Sequence, residues 1–197
     1  MKEVQPLRTK RDIEAVKYAL RKKSKRDYAL FMLGVCTGRR ISDLLGLAVG
    51  DMVSGKGKRL QIVKRLRLKE GKTGKMIDVV LSESAKSALR EYLKTRKPLR
   101  MEDPLFPSRN KSREGGKRPV SRRQICRVIK GAAVACGIES NTGTHTMRKT
   151  FGYLMHKEGK HIADIMKLLN HASEETTLAY IGITQERLDE CVLSIDV

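Results

Sequence analysis

Residues 37–47 read Thr-Gly-Arg-Arg-Ile-Ser-Asp-Leu-Leu-Gly-Leu, a helix stop followed at once by a helix start. The helical run of residues 26–36 ends near Gly38, and Ile41, Leu44, Leu45 and Leu47 take up helical spacing again just after it. Arg39 and Arg40 sit on the break. Upstream, Thr9 reads as an N-cap with Asp12 in the first turn, and Ile13, Val16 and Leu20 share one helix face. Downstream the period changes from helical to alternating: Leu60, Ile62, Leu66 and Leu68, then Ile77, Val79 and Leu81 after the turn Lys72-Thr73-Gly74. Two or three antiparallel strands joined by a tight turn are expected there. Ser82 caps a helix that buries Ala85, Leu89 and Leu93 and is stopped by Pro98; a polar, glycine-rich loop covers 107–119; Ser121 opens a helix through Ala135. Helices are expected again over 144–158, 161–169, 173–181 and 184–194. The fold class is therefore mostly α with a small antiparallel β-sheet (α+β), in a single domain spanning 1–197.

The chain has 42 Lys and Arg against 22 Asp and Glu, a net charge of +20, with 40% hydrophobic residues. That is a folded core carrying a large positive excess, which points to a polyanionic partner, with nucleic acid ahead of an anionic membrane surface. No apolar run approaches the roughly 20 residues of a spanning helix, and Lys2, Glu3, Arg8, Lys10 and Arg11 leave no room for a signal peptide. Cys36, Cys126, Cys136 and Cys191 are scattered without metal-ligand spacing, so reduced thiols in a cytoplasmic protein are expected. Aromatic residues are 4% and Trp is absent, which disfavours single-strand binding by stacking. The charge is uneven. Residues 108–130 carry nine bases and one acid, residues 56–75 again nine and one, and from Glu174 onward six acids face Arg187 alone.

Four local patterns could carry chemistry, and each by itself has an ordinary reading. The Arg39-Arg40 pair could be a solvated helix start. His145-x-x-Arg148 places two phosphate-capable groups on one helix face, opposite Met147, Phe151, Leu154 and Met155. His171 follows a helix end, and Tyr180, nine residues on, could be a packing residue. Together they make a different case. Cutting a phosphodiester without a metal requires a nucleophile, neutralisation of the non-bridging oxygens and an acid for the leaving oxygen. Arginines grip phosphate as planar forks, histidines exchange protons near neutral pH, a lysine on a turn can protonate a leaving group, and a tyrosine can attack once it loses its proton.

The order Arg, Lys, His-x-x-Arg, His, Tyr resembles the tyrosine recombinase (phage integrase) family, and so does the local wording. T-G-R-R-I-S-D-L-L-G-L resembles its first-arginine box, which registers Arg40 and not Arg39 as the site arginine and Asp43 as the acid bracing it. G-T-H-T-M-R-K-T-F resembles the second box, with His145 and Arg148. L-L-N-H-A-S-E-E-T-T-L-A-Y resembles the segment carrying His171 and the nucleophile, Tyr180. The family's lysine lies on a hairpin turn, which makes Lys72 the best match, with Lys69 and Lys75 as alternatives. The likeness runs from about Thr9 to Ile195.

The resemblance implies a recombinase or integrase that cuts and rejoins double-stranded DNA through a 3′-phosphotyrosine, as a tetramer on DNA, with no cofactor, metal or membrane. Arg40, Arg148 and His171 would hold the phosphate, His145 would serve Tyr180 as base or phosphate donor, and Lys72 would protonate the leaving oxygen. Arg39, Lys75, Arg118, Arg122, Arg123 and Lys149 are expected to meet DNA, although for Lys149 a solvated side chain is the favoured reading. Asn170 stands where the family carries glycine. Members usually have an amino-terminal core-binding domain, and this chain opens almost directly on the catalytic region. It is expected to be either part of a longer protein or one of the short integrase-like proteins. Leu188, Val192 and Ile195 form an apolar stripe for a last helix, which could dock in cis or on a neighbouring subunit. Type IB topoisomerase chemistry and a DNA-binding regulator that has lost the reaction are the rival readings.

Overall fold

The computed structural model describes residues 3–55, 61–110, 116–183, 189 and 192–195. Five helices begin on a hydroxyl side chain that accepts a backbone N–H of the first turn. They are α1 (Lys10–Lys23) on Thr9, α2 (Lys25–Thr37) on Ser24, α4 (Glu83–Leu93) on Ser82, α5 (Arg122–Ala135) on Ser121 and α8 (Glu174–Ile181) on Ser173. The other described α-helices are the short α3 (Ile41–Leu45), α6 (Thr144–Lys157) and α7 (Ile162–Leu169), and a 3-10 turn covers Val49–Asp51. The helix expected over 184–194 and the strand residue Leu60 lie largely or wholly outside the described residues. α4 closes at Leu93, before Pro98 is reached.

The single small sheet expected from the alternating run is two separate antiparallel ribbons. β1 (Val53–Ser54) pairs with β2 (Gln61–Ile62), and β3 (Arg65–Lys69) pairs with β4 (Met76–Val80). In the second ribbon Leu66 faces Val79 and Leu68 faces Ile77, while Arg67 faces Asp78 on the solvent side. Asp78 takes Arg65 at 2.6 Å and Arg67 at 3.2 Å. The turn between β3 and β4 is closed by its own backbone, Glu70 N–H to the Lys75 carbonyl (2.9 Å) and Gly74 N–H to the Glu70 carbonyl (2.8 Å).

The core is organised around α2, whose Leu30, Phe31 and Leu33 are fully buried, each contributing on the order of 1.5–3 kcal/mol. α2 packs on α1, α4 and α6. It reaches α6 closely because Gly34 has no Cβ; one there would lie 2.8 Å from the Met147 sulfur. A smaller cluster of Tyr153, Ile165, Leu169, Ile181 and Ile183 ties α6, α7 and α8 together. This second cluster fixes where the last two helices sit relative to α6, and so where His171 and Tyr180 can reach.

Gly38 ends α2 in the left-handed region (φ 65°), and a Cβ there would lie 2.4 Å from the Phe151 ring. Gly38→Ala is expected to destabilise the fold by about 2–5 kcal/mol, from the left-handed backbone and the overpacked ring together. Urea unfolding checks this. A loss below about 1 kcal/mol, the range of a tolerated core swap, would mean that Phe151 yields without cost.

Candidate active site

His145 and Arg148 are both set by α6. The helix start is pinned through Thr146, whose hydroxyl accepts Gly143 N–H (2.9 Å) and donates to the Gln5 carbonyl (2.9 Å). One turn on, Thr150 accepts Leu7 N–H at 2.8 Å. Arg148 is 3% exposed. Its Nη1 donates to the Gly38 carbonyl at 2.6 Å and its Nη2 to the Leu169 carbonyl. These are the carbonyl ends of α2 and α7, where a cation is favoured by the helix dipole. Burial, foremost, and the charge of Arg40 pull the Arg148 guanidinium below its ordinary value, with Tyr180 and Glu70 opposing.

Arg40 is the N-cap residue of α3, half-buried, with Nη1 2.6 Å from Glu70 Oε1. Glu70 is 0% exposed. Its other oxygen accepts from Thr73 Oγ1 (2.9 Å) and Asn170 Nδ2 (2.7 Å). Burial works to raise the Glu70 pKa, but the hydrogen bonds from Arg40, Asn170 and Thr73 and the Arg40 charge outweigh it and hold the group at about 2. Arg40, Lys72, Arg122, His145 and Arg148 line one cavity of about 260 Å³. Of the three candidate lysines, Lys72 is the one on this cavity. Lys75 instead donates to Asn170 Oδ1 (3.4 Å), and Lys69 is exposed at the end of β3.

Tyr180, near the end of α8, turns its hydroxyl to His145 Nδ1 at 3.1 Å. Its ring meets His171 edge-on at 4.9 Å and lies 5.0 Å from Lys149 Nζ. Burial raises the Tyr180 pKa, while Arg148, by charge and hydrogen bond, and Arg40 oppose it. His145 is held below its usual value by burial, then by Arg122, Arg148, Lys149 and Arg40. Arg122 Nη2 lies 3.4 Å from His145 Nε2. A guanidinium only donates, so the ring proton belongs on Nδ1, pointing at the phenol oxygen. For His171 the tautomer follows from Thr177, whose hydroxyl proton goes to the Ser173 carbonyl (2.9 Å). His171 Nδ1, 3.2 Å from that oxygen, therefore donates to it. Asn170, ahead of His171, takes the left-handed conformation (φ 50°) that ends α7. Among the described residues no group of His, Cys, Asp and Glu could hold a metal ion.

Across residues 8–187 the sequence matches the phage integrase family. The chain belongs to that family. A probable integrase/recombinase, YoeC, of Bacillus subtilis is 40% identical over 93% of this chain and 92% of its own length. Tyrosine recombinase XerC of Thermodesulfovibrio yellowstonii is 32% identical over 84% of this chain and 52% of its own. The chain thus spans about half the length of that XerC relative. The crystal structure of XerA recombinase matches with a TM-score of 0.71 at 23% identity, over 98% of this chain and 66% of that one. A lambda integrase tetramer bound to a Holliday junction matches with a TM-score of 0.64 at 19% identity, over 91% and 49%. These likenesses show the fold, mostly helical with small antiparallel ribbons, to be that of tyrosine recombinase catalytic domains.

In this integrase-family domain three expected roles are corrected by position. Arg39 was expected on DNA but is 2% exposed. Its Nε donates to the Thr37 carbonyl (3.0 Å), its Nη2 to the Leu168 carbonyl, and its Nη1 lies 3.6 Å from Glu70. Burial, then Arg148, lower its pKa to about 10 against the pull of Glu70. Lys149 is 3% exposed, neither solvated nor open to DNA, and pairs with Glu3. Asp43 was expected to brace Arg40, yet its Oδ1 accepts Gly71 N–H at 3.1 Å and so holds the turn beside Lys72. The brace on Arg40 is Glu70, which sequence reasoning missed. Its signal was present: it is the lone acid among nine bases in residues 56–75. Arg118, Arg122 and Arg123 are exposed. Arg122 and Arg123, with Lys130, line a groove of about 1010 Å³ that shares Thr144 and His145 with the smaller cavity.

His171 is drawn down to about 4 by burial, then by Arg148 and Arg40, with Glu70 opposing. Its folded value lies below the unfolded one of about 6.5. The stability this represents is complete above pH 6.5 or so and drains away as pH falls towards 4. Melting temperature should therefore drop less for His171→Gln than for the parent between pH 8 and pH 4.5 or so. Parallel curves would refute the shift.

Proposed function

We propose that this domain cuts and rejoins double-stranded DNA as a site-specific recombinase, with Tyr180 as nucleophile and a 3′-phosphotyrosine as intermediate. The observation that carries the reading is the hydroxyl of Tyr180 held 3.1 Å from Nδ1 of His145, a residue that lines one cavity with Arg40, Arg148 and Lys72. Two guanidiniums there can neutralise both non-bridging oxygens of a phosphodiester.

Tyr180, like any phenol, is protonated at neutral pH in the free domain, and burial opposes its ionisation further. DNA competes for Arg122. Once that guanidinium turns to a backbone phosphate, His145 Nε2 is released, the ring can place its proton there, and Nδ1 can accept the phenol proton. The phenolate oxygen then bonds to phosphorus, the bond from phosphorus to the 5′ oxygen breaks, and Lys72 protonates that oxygen. The two arginines stabilise the charge on the pentacoordinate phosphate, and His171 joins them once the phosphate's negative charge brings a second proton onto its Nε2, Nδ1 keeping its bond to Thr177. A 5′-hydroxyl from a partner strand reverses the sequence, so the bond energy stays in the phosphotyrosine and the residue set needs neither nucleotide nor metal. The groove that Arg122, Arg123 and Lys130 line continues from the cavity and supplies a path for the duplex. Strand exchange requires partners, and a homotetramer on DNA is the assembly this reading takes. The half-buried free thiols of Cys36, Cys126 and Cys136 fit a reducing, cytoplasmic setting. Among the described residues no helix is long and apolar enough to cross a membrane.

The test is a nicked duplex that loses its 5′-hydroxyl strand after cleavage, so that adducts cannot religate. A protein–DNA band that survives denaturation and disappears with protease is expected. Salt-sensitive binding of a cognate duplex without any such band would overturn the reading in favour of a non-catalytic DNA-binding role.

A further inference from the structure

We propose that Glu70 is a positioning residue that sets the phosphate clamp and the leaving-group acid together, one with each carboxylate oxygen. The inference rests on the recombinase reading and deepens it. Oε1 faces Arg40 at 2.6 Å and Arg39 at 3.6 Å, at the junction of α2 and α3. Oε2 takes Thr73 in the hairpin turn at 2.9 Å and Asn170, the residue before His171, at 2.7 Å. Its backbone closes the same turn, through Lys75 and Gly74. Lys72 is thereby bracketed, with Gly71 held by Asp43 on one side and Thr73 by Glu70 on the other.

A buried carboxylate is a costly way to join elements, and an apolar residue of similar volume often serves stability as well. What the anion adds is orientation. A guanidinium fixed by a 2.6 Å ion pair presents its remaining N–H groups in a set direction. A turn tied through Thr73 holds Lys72 over the same cavity. Misplacement of a reacting group by about 1 Å can cost on the order of 100-fold in rate, so one carboxylate governs two such placements.

The experiment compares single-turnover cleavage of an ordinary phosphodiester with that of a duplex whose leaving 5′ oxygen is replaced by sulfur. A thiolate departs without a proton, so the sulfur substrate removes the demand on Lys72 and leaves the demand on Arg40. Glu70→Gln is expected to melt below the parent, because Arg39 and Arg40 lose their buried counter-charge, and to bind DNA like the parent at a temperature where both are folded. Its cleavage of the phosphodiester should fall on the order of 100-fold and its cleavage of the sulfur substrate only about ten-fold. Thr73→Val removes the turn's hydroxyl from Oε2, leaving Asn170 on that oxygen and the Arg40 pair on the other, so it should lose about ten-fold on oxygen and nothing on sulfur. It also carries the test if Glu70→Gln fails to fold. A parent-like rate for Glu70→Gln, or equal losses on both substrates for the two variants, would overturn the proposal. Absence of any adduct from the parent protein on both substrates is a different result, because it removes the recombinase reading itself.

Discussion

Tyr180→Phe is expected to abolish the covalent protein–DNA adduct while leaving DNA affinity within about two-fold, since the phenol carries no charge towards the phosphate backbone. Removing a nucleophile that acts in concert with its neighbours costs on the order of ten-thousand-fold or more. The ring should stay where it is. Its edge contact with His171 and the Lys149 cation over its face do not involve the hydroxyl. The hydroxyl's 3.1 Å contact to His145 and its interaction with Arg148 are lost, but His145 is exposed enough for water to replace the first and Arg148 keeps its two carbonyls. The variant should therefore melt with the parent. An adduct that persists in Tyr180→Phe would place the nucleophile elsewhere, and the assembly of His145, Arg148 and Tyr180 would need another explanation.

Arg148→Lys is expected to lower the cleavage rate on the order of 100- to 1,000-fold, the cost of removing a preorganised donor from a developing negative charge. The charge is conserved, so a purely electrostatic requirement would be met. The geometry is not. Arg148 reaches the Gly38 carbonyl and the Leu169 carbonyl from two different nitrogens, in the plane of one fork. A single ammonium cannot bond both carbonyls and still face a phosphate. One carbonyl at a helix end would be left without its partner, at about 1–3 kcal/mol. Denaturant unfolding alongside cleavage separates the two effects, because a variant that loses only stability should cleave normally at low temperature. Cleavage within about ten-fold of the parent, far less than a donor loss implies, would show that Arg148 serves the fold and not the phosphate.

Local structure was legible where local rules decide it. Ser121 and Ser82 start α5 and α4 as their hydroxyls require, and the Lys72-Thr73-Gly74 turn falls between β3 and β4. The polar groups expected to act together do converge: Arg40, Lys72, His145 and Arg148 share a cavity, and Tyr180 meets His145 and His171. What was misread depends on contacts far apart along the chain. Arg39 and Lys149 look like surface cations, because charged residues are almost never fully buried unless paired. Their partners, the Leu168 carbonyl and Glu3, are remote in sequence. Glu70 escaped notice for the same reason, since Arg40 lies thirty residues before it and Asn170 a hundred after. Alternation reports strands and not which strands pair, so it leads to one sheet where two ribbons form.

The C-terminal end of α7 accepts two buried guanidiniums, Arg39 through Leu168 and Arg148 through Leu169. Anyone grafting this chemistry onto another scaffold would therefore find that the polar groups are not portable by themselves. The graft would have to bring a helix that ends in open carbonyls at the right distance from a second such end, as α2 and α7 do here. It would also need a left-handed residue after that helix and a buried acid to offset the second arginine. A host lacking these would leave the clamp's guanidiniums to find other acceptors, and the incoming phosphate would have to reorganise them at its own cost.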